Sequence, residues 1–242
     1  MNFTNEHSII QDWIDSLSGI RKNRIILHPI PIGRKIRQVR NAFDECLDQL
    51  HYAGKCQRVG RCMRLLIINN GNWVGGIVLG STFANIGVRD KALGLKKYIK
   101  GYKNRKLRSP WARENRAYWN RLQKIVNHAR TFILPEFQKR GLGIRSHKVL
   151  LTQGKKLWED YYNEKISAFD TLCDAKDSHL FLKNGWTHVG VTAGYESDPQ
   201  SELVSIDYEN CSSEIKNNVA LKKGKRNWEV WIRIIDKSVL TN

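Results

Sequence analysis

Gln138-Lys139-Arg140-Gly141-Leu142-Gly143 sets two glycines one residue apart, behind an apolar run at 131–134 and Pro135 and ahead of a helical run at 144–158. Glycines so placed let successive backbone N–H groups converge on one anion, and the opening helix adds the positive end of its dipole. The chemistry on offer is a grip on phosphate. Gln138, Lys139, Arg140, Gly141 and Gly143, with Ile133 on the preceding strand, are therefore the candidate cofactor-holding residues. A bend that only joins strand to helix would use the same glycines, leaving Lys139 and Arg140 as solvated side chains. A second candidate is the pair His51-Tyr52. Imidazole titrates near neutral pH and a phenol gives up a proton, so either can act as general acid or base.

Charge speaks to the partner. Lys and Arg number 41 against 23 Asp and Glu, a net charge of +18. Such an excess attracts polyanions at long range, and nucleic acid leads that class. The charge is also clustered. Between Lys91 and Arg121 lie eleven basic residues and one acid, Glu114, interleaved with Tyr98, Tyr102, Trp111, Tyr118 and Trp119. Cations that pair with phosphates beside rings that stack on bases suit a nucleic-acid surface. Lys96, Lys97, Lys100, Lys103, Arg105, Lys106 and Arg108 are its candidate contacts, although Trp111 and Trp119 would serve equally as core anchors. Further basic clusters run through Arg21, Lys22, Arg24, Arg34, Lys35, Arg37 and Arg40, and through Lys222, Lys223, Lys225 and Arg226. The five cysteines, Cys46, Cys56, Cys62, Cys173 and Cys211, show no C-x-x-C spacing, and reduced thiols without a metal are expected. No apolar run reaches the roughly 18 residues of a membrane span, and residues 1–10 lack the apolar centre of a signal peptide. A cytoplasmic protein without membrane contact is expected.

The elements that must position these groups follow from periodicity. A short amphipathic helix is predicted over 5–17, an extended arm over 24–32, and a helix over 36–50 that delivers His51 at its end. The apolar runs 63–68 and 73–79 flank Asn70-Gly71, a strong hairpin signal, and Gly75-Gly76 marks a bulge or a close backbone approach. After the basic insert come a strand ending at Leu134, the glycine bend and a helix to about residue 162. A strand over 165–171, a short helix capped by Asp177 or Ser178 and stopped at Asn184-Gly185, and a strand over 186–192 complete the series. Trp228, Val230, Ile232 and Ile234 add a strand inside a tail rich in Ser, Asn and Glu.

This element order, with Gln-x-x-Gly-x-Gly and Leu180-Phe181-Leu182-Lys183-Asn184-Gly185-Trp186, resembles the GNAT acyltransferase superfamily. The resemblance implies a mixed α/β (α+β) fold with helices flanking a central sheet, and a coenzyme A thioester or another activated donor in the glycine bend. It implies a catalytic core at 51–196 with a basic insertion at 87–121, and extensions at 1–50 and 197–242. Phe181 stands where the superfamily carries a tyrosine that protonates the departing thiolate, so another group must do this. A narrower resemblance, to the Mom-type DNA modification proteins of bacteriophages and the related Druantia A defence proteins, rests on several segments. They are His51-Tyr52-Ala-Gly, Val59-Gly60, Arg89-Asp90, the run from Ile125 through His128 and Arg130 to Pro135, Asp170-Thr-Leu-Cys, and Lys183-Asn-Gly-Trp186-Thr-His-Val-Gly190.

That resemblance implies transfer of a carbamoylmethyl group to the exocyclic amine of adenine in DNA, protecting it from restriction. The DNA would be single-stranded or a duplex with the adenine flipped out. His51, Tyr52, Arg130 and Asp170 are the catalytic residues it implies. Arg130 would bind donor or target through its planar fork, and Asp170 would accept a hydrogen bond from the adenine amine. Trp111, Trp119 or Trp186 would stack on the base. The alternatives are an acyltransferase acting on a protein, tRNA or small molecule, and a non-catalytic DNA-binding defence module.

Overall fold

A computed structural model describes residues 4–17, 24–51, 60–98, 115–195 and 225–236. Among them seven strands form one mixed sheet in the order β1-β2-β3-β4-β5-β7-β6. The strands are β1 (Ile25–Pro29), β2 (Cys62–Asn69), β3 (Asn72–Ser81), β4 (Ile125–Ile133), β5 (Ala168–Cys173), β6 (Thr187–Tyr195) and β7 (Lys225–Ile234). The helices are α1 (Thr4–Asp15), α2 (Arg37–Leu50), α3 (Gly87–Ala92), α4 (Arg116–Leu122), α5 (Leu142–Val149), α6 (Lys155–Tyr162) and α7 (Ser178–Lys183). No described helix is long and apolar enough to cross a membrane.

The β2–β3 hairpin closes through Asn70 at φ 56° and Gly71 at φ 86°. Positive φ at both turn residues matches the right-handed twist of the flanking strands, and Asn-Gly is the pair that tolerates it. Strand β3 then pairs antiparallel with β4. Gly76 is required by packing, since a Cβ there would lie 2.3 Å from the Phe43 ring and 2.7 Å from Phe132. Helix α2 turns Val39, Ala42, Phe43, Cys46 and Leu47 inward, the three-and-four spacing of a single buried stripe. With α1 it covers one face of the sheet over Leu66, Ile68, Val78 and Phe132.

The opposite face carries α5, α6 and α7 over Leu65, Ile67, Ile77, Leu79, Val126 and Phe169. Alternation along β4 assigns Ile125 and Asn127 to the α1–α2 face and Val126 and His128 to the α5–α7 face. Residues 87–98 and α4 shield the first of these faces farther along, over Ile125, Ala168 and Ile232. The segments expected as extensions are built into this one sheet. Residues before 51 supply α1, β1 and α2, and β7, inside the expected C-terminal extension, runs antiparallel to both β5 and β6 between them.

Candidate active site

Strands β4 and β5 run parallel and are paired only from Ile125↔Ala168 to Asn127↔Asp170. Beyond that point they part. The cause lies in β4. His128 is opposite Leu79 and Arg130 opposite Val78, so Ala129 is an extra residue without a partner in the ladder. Such a bulge bends its strand and resets its alternation. His128 and Thr131, three residues apart, consequently share the α5–α7 face, and Arg130 turns to the α2 side.

The gap between the parted strands holds a cavity of about 130 Å³. His51 at the end of α2, His128, Arg130 and Thr131 of β4, His147 of α5 and Thr171 of β5 line it, with Phe181 of α7 as an apolar wall. Burial raises the cost of charge on the imidazoles. His51 is pushed down to about 3 by burial, with a further contribution from Arg130. His147 is lowered by burial, against the pull of its bond to the Gly143 carbonyl. His51 therefore enters the cavity as a neutral imidazole, a hydrogen-bond partner that resists taking up a proton.

The hydrogen bonds around the two histidines match one tautomer of each ring. The Thr171 hydroxyl donates to the His128 backbone carbonyl at 2.8 Å. Its oxygen therefore receives Nδ1–H of His128, at 3.4 Å. That leaves His128 Nε2 with its lone pair facing the Thr131 hydroxyl at 2.6 Å. His147 Nδ1 donates to the Gly143 carbonyl at 2.8 Å, and its buried Nε2 has no partner among the described residues.

The glycine bend opens the same helix that carries His147. Lys139 (φ 60°) and Gly141 (φ 69°) are both left-handed, and no side chain caps the first turn of α5. The bend is exposed from Gln138 to Gly141, and a Cβ added at Gly141 would meet nothing within 4 Å. Gln138 Nε2 donates to the Ile133 carbonyl at 3.0 Å, tying the bend to the end of β4. Space, uncapped amides and two cations together fit an anionic diphosphate.

Asp170 lies elsewhere. It is fully buried on the α1–α2 face and does not line the cavity. Its Oδ2 takes a bond from Arg89 Nη1 at 2.8 Å and another from Thr82, and its Oδ1 one from Asn127 Nδ2 at 2.7 Å. Arg89, itself buried, also reaches Asp90, which receives the Tyr118 hydroxyl at 3.0 Å. A carboxylate so engaged ties α3 and α4 to the sheet. Asp177 stands at the start of α7 without a side-chain capping bond. Trp186 is core, 3% exposed against His128, Phe169 and Phe181, and is no stacking platform.

Of the other expected residues, Tyr52, Lys100, Lys103, Arg105, Lys106, Arg108 and Trp111 lie outside the described residues. Lys96 and Lys97 are exposed, and the Tyr98 ring lies 3.8 Å from the Arg121 guanidinium. Half-buried Trp119 packs edge-on against Tyr118. Arg34, Arg37, Arg40 and Asn41 line an open groove of about 380 Å³ at the start of α2. Sequence reasoning passed over His128, Thr131, His147 and Thr171. The signal was the interruption of a strand-forming run by Asn127, His128, Arg130 and Thr131, but their facing depends on the bulge.

No protein-family model and no curated protein matches the chain. Several solved structures resemble it. An acetyltransferase from Salmonella typhimurium that modifies the N-terminal serine of a 50S ribosomal subunit protein is 11% identical, with 88% of this chain and 95% of that one covered at a TM-score of 0.43. A GNAT-family acetyltransferase from Bacillus anthracis is 10% identical, covering 90% and 98% at 0.42. A microcin self-immunity acetyltransferase in complex with acetyl-CoA and AMP is 11% identical, covering 96% and 84% at 0.39. Likeness of this degree assigns neither activity nor substrate. The mixed sheet of seven strands flanked by helices is established by the chain's own topology.

Proposed function

We propose that this chain is a GNAT-type transferase that draws a coenzyme A thioester into the gap between β4 and β5 and passes the acyl group to an amine. The observation that carries the reading is the combination of parted strands with an uncapped glycine bend at the head of α5. Lys139, Arg140 and the amides from Gly141 onward would hold the diphosphate, and the backbone around the Ala129 bulge would face the acyl end. Neutral His51, beside Arg130 on the α2 side, is placed to accept a hydrogen bond from an incoming amine and so orient it. Titration calorimetry with coenzyme A and with pantetheine tests this. Coenzyme A binds, Lys139→Ala with Arg140→Ala weakens it at least about tenfold, and pantetheine, lacking the diphosphate, is indifferent to both changes. Equal loss for both ligands would refute the cradle.

For the acceptor, the net charge of +18 and the exposed arginines at the head of α2 favour an amine on a nucleic acid. With the resemblance to Mom-type proteins, the adenine amine of DNA is the acceptor proposed. Nucleoside mass spectrometry of DNA from cells expressing the protein checks it. An altered adenosine is expected, and its absence beside acylated protein or tRNA would move the assignment to those acceptors.

A further inference from the structure

Phe181 leaves this cleft without the phenol that would protonate a departing thiolate. The transfer as proposed also leaves Thr131 and His128 unused, although both line the cavity. Their juxtaposition is specific to this backbone. Residues three apart on a regular strand point to opposite faces. Only the extra residue Ala129 brings the Thr131 hydroxyl within 2.6 Å of His128 Nε2. Thr171 spends its proton on the His128 carbonyl, and the tautomer that places Nδ1–H toward the Thr171 oxygen turns the lone pair of Nε2 to Thr131. His128 is 4% exposed and held between Thr171, the His147 ring at 4.7 Å and Phe181. A hydroxyl bonded to an imidazole that is itself oriented by a third group is the arrangement that activates an oxygen nucleophile.

We propose that Thr131 is a covalent nucleophile, which takes the acyl group from the donor thioester before the amine receives it. Thr131 Oγ1 forms the bond to the acyl carbon as its proton passes to His128 Nε2. The carbon–sulfur bond breaks, and the same proton goes from the imidazolium to the sulfur, so the thiol departs neutral. The products are a threonine ester and a free thiol. In the second half the acceptor amine attacks the ester carbonyl, His128 takes a proton from the amine, and the Thr131 oxygen recovers a proton from His128 as it leaves. His128 thus supplies the proton that Phe181 cannot. The proposal depends on the reading above only for the identity of the thioester.

The test omits the acceptor. Wild-type chain is incubated with acetyl-CoA, and separately with the acetyl thioester of N-acetylcysteamine, which has the same reactive group without the diphosphate. Intact mass spectrometry should show a gain of one acetyl group, mapped to Thr131, with one equivalent of thiol released. Labelled coenzyme A should exchange into acetyl-CoA with no acceptor present. Thr131→Ser retains the adduct and the exchange, and Thr131→Val loses both while still binding coenzyme A. Wild-type chain that binds acetyl-CoA without adduct or exchange, or an adduct on another residue, overturns the nucleophile and leaves the donor reading standing. Labelling of Thr131 by the short thioester, with no binding of coenzyme A, does the reverse. No labelling by either overturns the nucleophile.

Discussion

The Asp170 carboxylate meets Arg89 Nη1 at 2.8 Å, with both side chains fully buried, and the pair joins the middle of β5 to α3 across 81 residues of sequence. Removing one member of such a pair strands the other charge in the interior, which costs about 3–5 kcal/mol. Asp170→Asn should therefore lower the denaturation midpoint sharply. Donor binding in the fraction that stays folded should be retained. A variant of unchanged stability that had lost all transfer would instead place Asp170 in the chemistry.

Acid should weaken the fold through His51. Its folded value of about 3 lies below the ordinary 6.5, so between those limits the unfolded chain binds the extra proton. Stability contributed by the buried neutral ring is complete above 6.5 and is lost progressively as the pH falls toward 3. His147 shifts the same way. Thermal denaturation followed from about pH 7.5 to about pH 4.5, across the ordinary histidine value, should show a falling midpoint, and His51→Gln should flatten part of that slope. A slope unchanged by His51→Gln would mean the ring charges freely in the folded state.

The two key glycines should respond differently. At Gly76 a methyl would collide with Phe43 and Phe132, and overpacking of this kind costs about 1–3 kcal/mol. At Gly141 there is open space, but φ of 69° penalises any L side chain by roughly 1–2 kcal/mol. Gly76→Ala should reduce stability with the cradle intact, as read by chemical denaturation. Gly141→Ala should weaken coenzyme A binding more than its modest loss of stability explains.

If the acceptor is a nucleic acid, binding should weaken steeply with salt, because cations on the protein release counterions from phosphates. Replacing Arg34, Arg37 and Arg40 by alanine should lower the slope of log affinity against log salt by about one for each arginine that contacts a phosphate. Fluorescence anisotropy with labelled DNA measures this. An unchanged slope would assign DNA contact to other surfaces.

What was legible in the sequence was local. Asn70-Gly71 announced the β2–β3 hairpin because its turn conformation is written in two adjacent residues. The glycine bend and the buried stripe of α2 were readable for the same reason, a fixed offset along the chain. The site was harder, since its assembly depends on events with no local signature. The bulge at Ala129 decides which face His128, Arg130 and Thr131 occupy, and alternation alone assigns at least one of them wrongly. In the sequence Asp170 reads as a carboxylate facing the substrate amine because its partner, Arg89, sits in the distant helix α3.

Strand β7 follows β6 in the chain yet separates it from β5 in the sheet. On a ribosome, β6 therefore emerges with nothing to bond to, and the far wall of the cleft stays unzipped until residues 225–234 arrive. A chain cut between these two strands would present β5 as a raw edge. Joining of β6 to the sheet thus waits on a strand that comes later in the chain.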